Sequence, residues 1–128
     1  MPEAERALVT GASGFVGSHL IEYLLANTDW EIDAMIRWRS PLDNMASFVT
    51  NKRVRFLYAD LRDSISTDRA VALSKPSFVF HLAAQSFPKT SFDIPLDTLE
   101  VNVQGTVRLM EAVKVSAPDA FVHVCSSS

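Results

Sequence analysis

Cysteine, glycine and long apolar runs are all scarce in this sequence, and each scarcity excludes something. One cysteine, Cys125, occurs in 128 residues, so neither an internal disulfide nor a multi-thiolate metal site can form. No stretch of about 18 or more apolar residues is present, so no transmembrane helix is expected and no membrane partner. Basic excess is lacking too. The formal net charge is −3, which gives nucleic acid nothing general to bind. Glu3 and Glu5 stand where a secretory leader would need a basic segment, which argues against secretion and for a cytoplasmic protein. His19, His81 and His123 have no partners at ligand spacing, so no metal site is expected.

What is present is an ordinary globular composition, 48% hydrophobic and 21% charged, at a length that suits one domain. Five short apolar runs fall at residues 7–9, 32–36, 54–58, 78–82 and 121–124. The first, fourth and fifth are nearly continuous in hydrophobicity, as strands covered on both faces of a parallel sheet are. Helical periodicity lies between them. Leu20, Ile21, Leu24 and Leu25 share one face, as do Leu96, Leu99, Val103, Val107, Met110 and Val113. Residues 64–74 form a weaker helix, with Asp63 or Ser64 as its N-cap. The alternation predicts an α/β fold: a Rossmann-type, doubly wound parallel sheet with five strands and right-handed crossovers. Residues 38–52 and 85–95 are irregular and leave the carboxyl ends of strands, where such sheets bind ligands.

Three of the four glycines fall in Thr10-Gly11-Ala12-Ser13-Gly14-Phe15-Val16-Gly17, between the first strand and the first helix. A tight turn needs Gly11, close approach of backbone to a phosphate needs Gly14, and a helix packed hard on its strand needs Gly17. The helix N-terminus then offers free N–H groups and a positive dipole to an anion. A plain turn accounts for one glycine but not for three at this spacing. No Lys-Ser or Lys-Thr follows, which excludes a nucleoside-triphosphate P-loop.

The segment TGASGFVGSHL resembles the cofactor loop of the extended short-chain dehydrogenase/reductase family, which includes the nucleotide-sugar epimerases and dehydratases. Tyr58-Ala59-Asp60-Leu61, His81-Leu82-Ala83-Ala84-Gln85-Ser86 and Val101-Asn102-Val103-Gln104-Gly105-Thr106 agree with it in the same order. The resemblance implies cofactor contacts at Gly11, Ser13, Gly14, Phe15, Val16, Asp60, Leu61, Leu82, Ala83, Ala84 and Val101. Asp60 is similar to the family residue that accepts the adenine amino group, with Leu61 beside the ring. His81 reads as a core or strand-end residue. Asn102 and Gly105 read as packing residues in the long helix.

An NAD site usually carries a carboxylate near the end of the second strand. Here that strand ends in Ile36-Arg37-Trp38-Arg39-Ser40, and Asp33 lies too early and points away. Two guanidiniums suit a 2′-phosphate, so Arg37 and Arg39 point to NADP, with NAD the lesser expectation. A solvated basic turn is the alternative.

Ala84-Gln85-Ser86 followed by Ser91-Phe92-Asp93-Ile94-Pro95 is similar to the GDP-mannose 4,6-dehydratase branch, which implies Ser86 and Phe87 at the substrate. Phe15-Val16 departs from that branch and is the pattern of epimerases and sugar-nucleotide reductases. The family's chemistry, as the resemblance implies, moves a hydride from sugar C4 to nicotinamide, and dehydratases then eliminate water. A tyrosine with a lysine four residues later, helped by a hydroxyl after the fifth strand, serves as base. Ser127 is the expected hydroxyl, with Ser128 next, and a merely polar strand end is the alternative. Tyr23 and Tyr58 are followed four residues later by Asn27 and Arg62, so the pair is absent.

The expectation is therefore a Rossmann domain over residues 1–128, cut off before the tyrosine–lysine pair and the substrate part. It would hold cofactor without turnover. As a whole protein it would be an NADP-dependent, GDP-mannose 4,6-dehydratase-like enzyme acting on a nucleotide sugar. A 4-epimerase, a 4-keto reductase and a non-catalytic NADP(H)-binding module are the alternatives. A homodimer through the helix around residues 96–117 is implied as well.

Overall fold

In a computed structural model, residues 5–38, 40–82 and 103–124 are described. The elements are β1 (Arg6–Thr10), α1 (Phe15–Asn27), β2 (Glu31–Ile36), a 3₁₀ turn (Asp43–Met45), β3 (Val54–Tyr58), α2 (Ser64–Ser74), β4 (Phe78–His81), α3 (Gly105–Ser116) and β5 (Phe121–Val124). All four pairings are parallel, in the order β3-β2-β1-β4-β5. The chain winds outward from β1 in one direction through β2 and β3, then returns to β4 on the other side. The crevice at that reversal, above the carboxyl ends of β1 and β4, is where sheets of this kind bind ligands.

Side chains alternate across the sheet and fill two cores. Ala7, Val9, Ile32, Ala34 and Ile36 pack with Ile21 and Leu24 of α1. Leu8, Met35, Leu57 and Val79 face the other way, onto Ala70 and Val71 of α2 and Leu109, Ala112 and Val113 of α3. Each fully buried Val, Leu, Ile or Met among them contributes roughly 1.5–3 kcal/mol. Asp63 caps α2 by accepting the Ser66 N–H at 3.0 Å, one of the two expected caps.

Two expectations are revised. Of the expected stripe, Val113 is buried, but Val107 and Met110 of α3 are 56% and 40% exposed and Val103, just before the helix, is 52% exposed, while Gly105, Leu109 and Ala112 complete the inward face; Leu96 and Leu99 lie outside the described residues. The irregular stretch 38–52 is also anchored. Met45 and Phe48 are buried in the core on the α1 side, so this segment is partly scaffold.

Asp33 is fully buried on the face opposite Ile32 and Ala34. Arg55 of β3 grips it with two bonds of 2.9 Å and Arg6 of β1 with one of 3.1 Å. The hydrogen bond to Asp33 raises the Arg55 pKa, against its own burial. Three adjacent strands are thus stitched through one carboxylate, which is directed away from the strand ends. Arg53 similarly donates to the carbonyls of Leu25, Thr28 and Trp30, closing the C-terminal end of α1.

Candidate functional site

Strand register brings Thr10, Ile36, Tyr58 and His81 to one edge of the sheet, since Thr10 pairs with Met35 and His81, and Ile36 with Tyr58. The glycine loop rises from that edge. Gly11 adopts φ 66°, a left-handed conformation that side chains other than glycine rarely take. Its carbonyl accepts the Gly14 N–H at 3.1 Å and so closes the turn. A Cβ on Gly17 would lie 2.2 Å from that same carbonyl oxygen, whereas one on Gly14 would lie at 3.3 Å. Gly17 therefore sets how closely α1 approaches β1, and Gly14 is under milder constraint.

Gly14 is the N-cap of α1 and provides no capping side chain. The first-turn N–H groups of Phe15, Val16 and Gly17 have no carbonyl one turn earlier within the helix. A helix N-terminus of this kind can accept a phosphate or diphosphate. Phe15 and Val16 are exposed, with the Phe15 ring edge-on to His19 at 4.4 Å. Asn44 of the 3₁₀ turn donates to the Ser13 carbonyl at 3.1 Å and holds the loop from the β2 side. Neither the glycine spacing nor local propensity signals Asn44.

Beneath the loop is a buried polar chain. The Leu82 N–H donates to Thr10 Oγ1 at 2.9 Å, Thr10 Oγ1 meets His81 Nδ1 at 2.8 Å, and His81 Nε2 meets Thr106 Oγ1 at 2.9 Å. A neutral imidazole has one donor and one acceptor nitrogen, which suits two hydroxyls able to play either part. Burial pushes the His81 pKa down and favours that neutral form. His81 is thus the strand-end residue expected, tying β4 to β1 and α3.

The second part of the site lies at the ends of β2 and β3. Trp38 and Tyr58 are exposed and meet edge-to-face at 5.5 Å. Asp60 accepts from the Arg62 N–H at 2.9 Å, and from Arg62 Nε at 3.2 Å and Nη2 at 2.9 Å. Burial alone would raise the Asp60 pKa; the bonds from Arg62 and the charges of Arg62 and Arg37 outweigh it and hold the carboxyl below its ordinary range. Leu61 is turned into the core, so it offers a ligand its backbone rather than its side chain. The Leu61 carbonyl accepts from Arg108 of α3 at 2.9 Å.

Of the residues predicted from sequence, Gly11, Ser13, Gly14, Phe15, Val16, Arg37, Asp60, Leu61 and Leu82 lie along this edge or in the segments leaving it. Arg39, Ala83, Ala84, Ser86, Phe87, Val101 and Ser127 lie outside the described residues. Arg62, Asn44 and Thr106 were not anticipated. The Asp-x-Arg spacing at residues 60–62, which suits a turn closed by the aspartate, is the signal that could have pointed to Arg62.

A cradle of glycine backbone at a helix N-terminus, with a fixed carboxylate and arginines on the next strand ends, fits a dinucleotide along its length. Among the described residues no group of three or more His, Cys, Asp or Glu could hold a metal ion. No helix among them is long and apolar enough to cross a membrane.

Comparison with known proteins agrees with this geometry. The family model described as GDP-mannose 4,6 dehydratase matches residues 8–128. The chain is similar to the UDP-glucose 4-epimerase of Mycolicibacterium smegmatis, with 39% identity over 94% of this chain and 38% of that protein. It is similar to the GDP-mannose 4,6 dehydratase of Drosophila melanogaster, with 34% identity over 95% of this chain and 33% of that one. Among solved structures, the UDP-glucose 4-epimerase of Thermus thermophilus, in complex with NAD, superposes with a TM-score of 0.75. It is 37% identical, over 87% of this chain and 34% of its own. The chain spans between a third and two fifths of the length of these relatives.

Proposed function

The chain belongs to the GDP-mannose 4,6-dehydratase family, among nucleotide-sugar 4,6-dehydratases and 4-epimerases, and on that premise we propose that residues 1–128 form the cofactor-holding part of an NADP-dependent nucleotide-sugar 4,6-dehydratase. The observation that carries this reading is the glycine cradle facing the first turn of α1, with Asp60 and Arg37 on the adjoining strand ends. The backbone N–H groups of α1 hold the diphosphate, Asp60 accepts from the adenine, and Arg37 pairs with the 2′-phosphate. Arg39 is assigned to the same phosphate on sequence grounds. A nicotinamide held there would supply the hydride acceptor for oxidation at sugar C4. Ser127 supplies a hydroxyl beside the sugar alcohol, and Ser86 and Phe87 line the substrate. The substrate proposed is GDP-mannose, on the strength of the matching family model.

Val107 and Met110 of α3, with Val103 just before it, form an exposed apolar stripe, which supports a homodimer through that helix. Sedimentation velocity on the full chain checks it, and a concentration-independent monomer would count against it.

The test of the cofactor assignment is titration calorimetry of the full chain with NADP⁺ and NAD⁺. Charge-assisted bonds from Arg37 to a 2′-phosphate predict that NADP⁺ binds about tenfold tighter or more. A specific observation favours a second reading, an NAD-using 4-epimerase: the Thermus thermophilus relative is an epimerase with NAD bound. Tighter binding of NAD⁺ would favour that reading. Binding of neither would remove the cofactor assignment altogether.

A further inference from the structure

The start of α1 is at odds with its own sequence. Serine is a better N-cap than glycine, and Ser13 stands directly before Gly14. The helix nevertheless begins one residue later. Its cap is Gly14 in an extended conformation, φ −78° and ψ 174°, with no side-chain hydrogen bond. We propose that Asn44 is a positioning residue that fixes this start, and so keeps first-turn N–H groups open to the phosphates of a dinucleotide. The role rests on the dinucleotide reading of the site and deepens it.

The alternative start would consume the donors that a ligand needs. Were Gly14 to turn helical, Ser13 would become the cap. Its Oγ would accept the N–H of Phe15 or Val16, and its carbonyl would accept the N–H of Gly17. Those are the groups that an anion at a helix N-terminus uses. A start at Gly14 leaves them open, and a start at Ser13 closes two of the three.

Two bonds hold the observed course, both on the peptide that joins Ser13 to Gly14. Its N–H donates to the Gly11 carbonyl at 3.1 Å, and its carbonyl accepts from Asn44 Nδ2 at 3.1 Å. The first bond lies within the loop and moves with it. Asn44 reaches in from 31 residues away along the chain, on a segment that is itself anchored. Its neighbour Met45 and, three residues on, Phe48 are buried in the core on the α1 side. The Met45 N–H donates to the Leu42 carbonyl at 2.9 Å and the Phe48 N–H to the Met45 carbonyl at 3.1 Å, which closes the backbone on either side of Asn44. The amide is therefore offered from a fixed support, and little freedom is lost in placing it. Asn44 is exposed, so its bond adds little to the stability of the whole fold. It bears directly, however, on a choice between two helix starts one residue apart.

Amide hydrogen exchange and titration calorimetry on the full chain test this together. In Asn44→Ala the helix start should slip back by one residue. The Gly17 N–H should then exchange more slowly and the Gly14 N–H faster, while amides of β2 and β4 stay as they were. NADP⁺ and NAD⁺ should both weaken about tenfold with their ratio preserved, and the thermal midpoint should move by about 3 °C or less. Asn44→Asp keeps the shape but, when ionised, has no donor, and should weaken both ligands at least as much. A residue that only supports the fold would loosen the amides of β1 and α1 together. That pattern, or wild-type exchange at both glycines, overturns the proposal while wild-type dinucleotide binding leaves the cofactor reading intact. If the wild-type chain binds neither dinucleotide, the cofactor reading fails and the role toward phosphates with it, and the opposed changes at Gly14 and Gly17 still decide whether Asn44 sets the start of α1.

Discussion

The glycine cradle over β1 and the arginine cluster over β2 and β3 occupy the same edge of one sheet, yet they are made of different material. The cradle is backbone: a left-handed Gly11, a carbonyl that tolerates no Cβ on Gly17, and the N–H groups of the first turn of α1. The cluster is side chain: Arg37 and Arg62 around Asp60, with Trp38 and Tyr58 beside them. Backbone sites cannot be altered without altering the fold that carries them. Side-chain sites can be retuned with the fold untouched, so cofactor preference can vary within a family whose loop stays the same.

The largest expected effect breaks the cradle. Gly17→Ala forces a Cβ to 2.2 Å from the Gly11 carbonyl oxygen, so β1 and α1 must separate. Overpacking of this kind costs about 3 kcal/mol, and dinucleotide binding should vanish with it. Thermal denaturation and calorimetry check both. Gly14→Ala, with its contact at 3.3 Å, should cost well under half as much. Equal stability for the two variants would remove the distinction drawn between these glycines.

Beneath the cradle, Thr10→Val leaves the Leu82 N–H and His81 without that hydroxyl, a loss of about 1–3 kcal/mol. The same network sets a pH dependence. His81 has its pKa lowered by burial, so the unfolded chain takes up the proton first, at about 6.5. Stability should therefore fall as pH drops below about 6.5, until the folded-state pKa is passed, and should have no slope from this group above that. Asp60, held below its ordinary range, loses its contribution only at more acidic pH, below about 4. Denaturant titrations across this range, with His81→Gln flattening the upper step, test the assignment. A slope that persists in His81→Gln belongs to another group.

The smallest effect on stability belongs to the cluster. Arg37→Gln, at an exposed position, should change stability by about 0.5 kcal/mol or less. It should still weaken NADP⁺ about tenfold and leave NAD⁺ nearly unchanged. If it destabilises the fold as much as Thr10→Val, the contrast between the two regions is lost.

Much of the cradle was legible because its signals are local. The apolar run of β1 is buried as a strand covered on both faces should be, Asp63 stands one residue before its helix, and three glycines within seven residues have few structural uses; β5, read from a similar run, instead leaves Phe121 and Val124 exposed among the described residues. The position of His81 at a strand end also followed from the run it closes. Other features were not legible. Of the apolar stripe with the right helical period, Val113 faces inward, but Val103, Val107 and Met110 face outward because Leu109 and Ala112 join Val113 in filling the core. Phe48 lies in a segment that reads as an irregular loop, yet it is among the most deeply buried side chains. Periodicity reveals that a face exists, not which neighbour covers it.

The parallel sheet, the succession of its elements and the glycine loop all follow from the amino-acid sequence, because each depends on constraints acting over a few residues: side-chain alternation, capping and the conformational freedom of glycine. The long-range charge partners emerge only in the folded chain. Asp33 is committed to Arg6 and Arg55 from the two flanking strands, while Asp60 is bonded by its neighbour Arg62 and feels the charge of Arg37 from the adjoining strand end. Parallel register places side chains more than twenty residues apart within hydrogen-bond reach, and no local pattern in the sequence reports such a pairing.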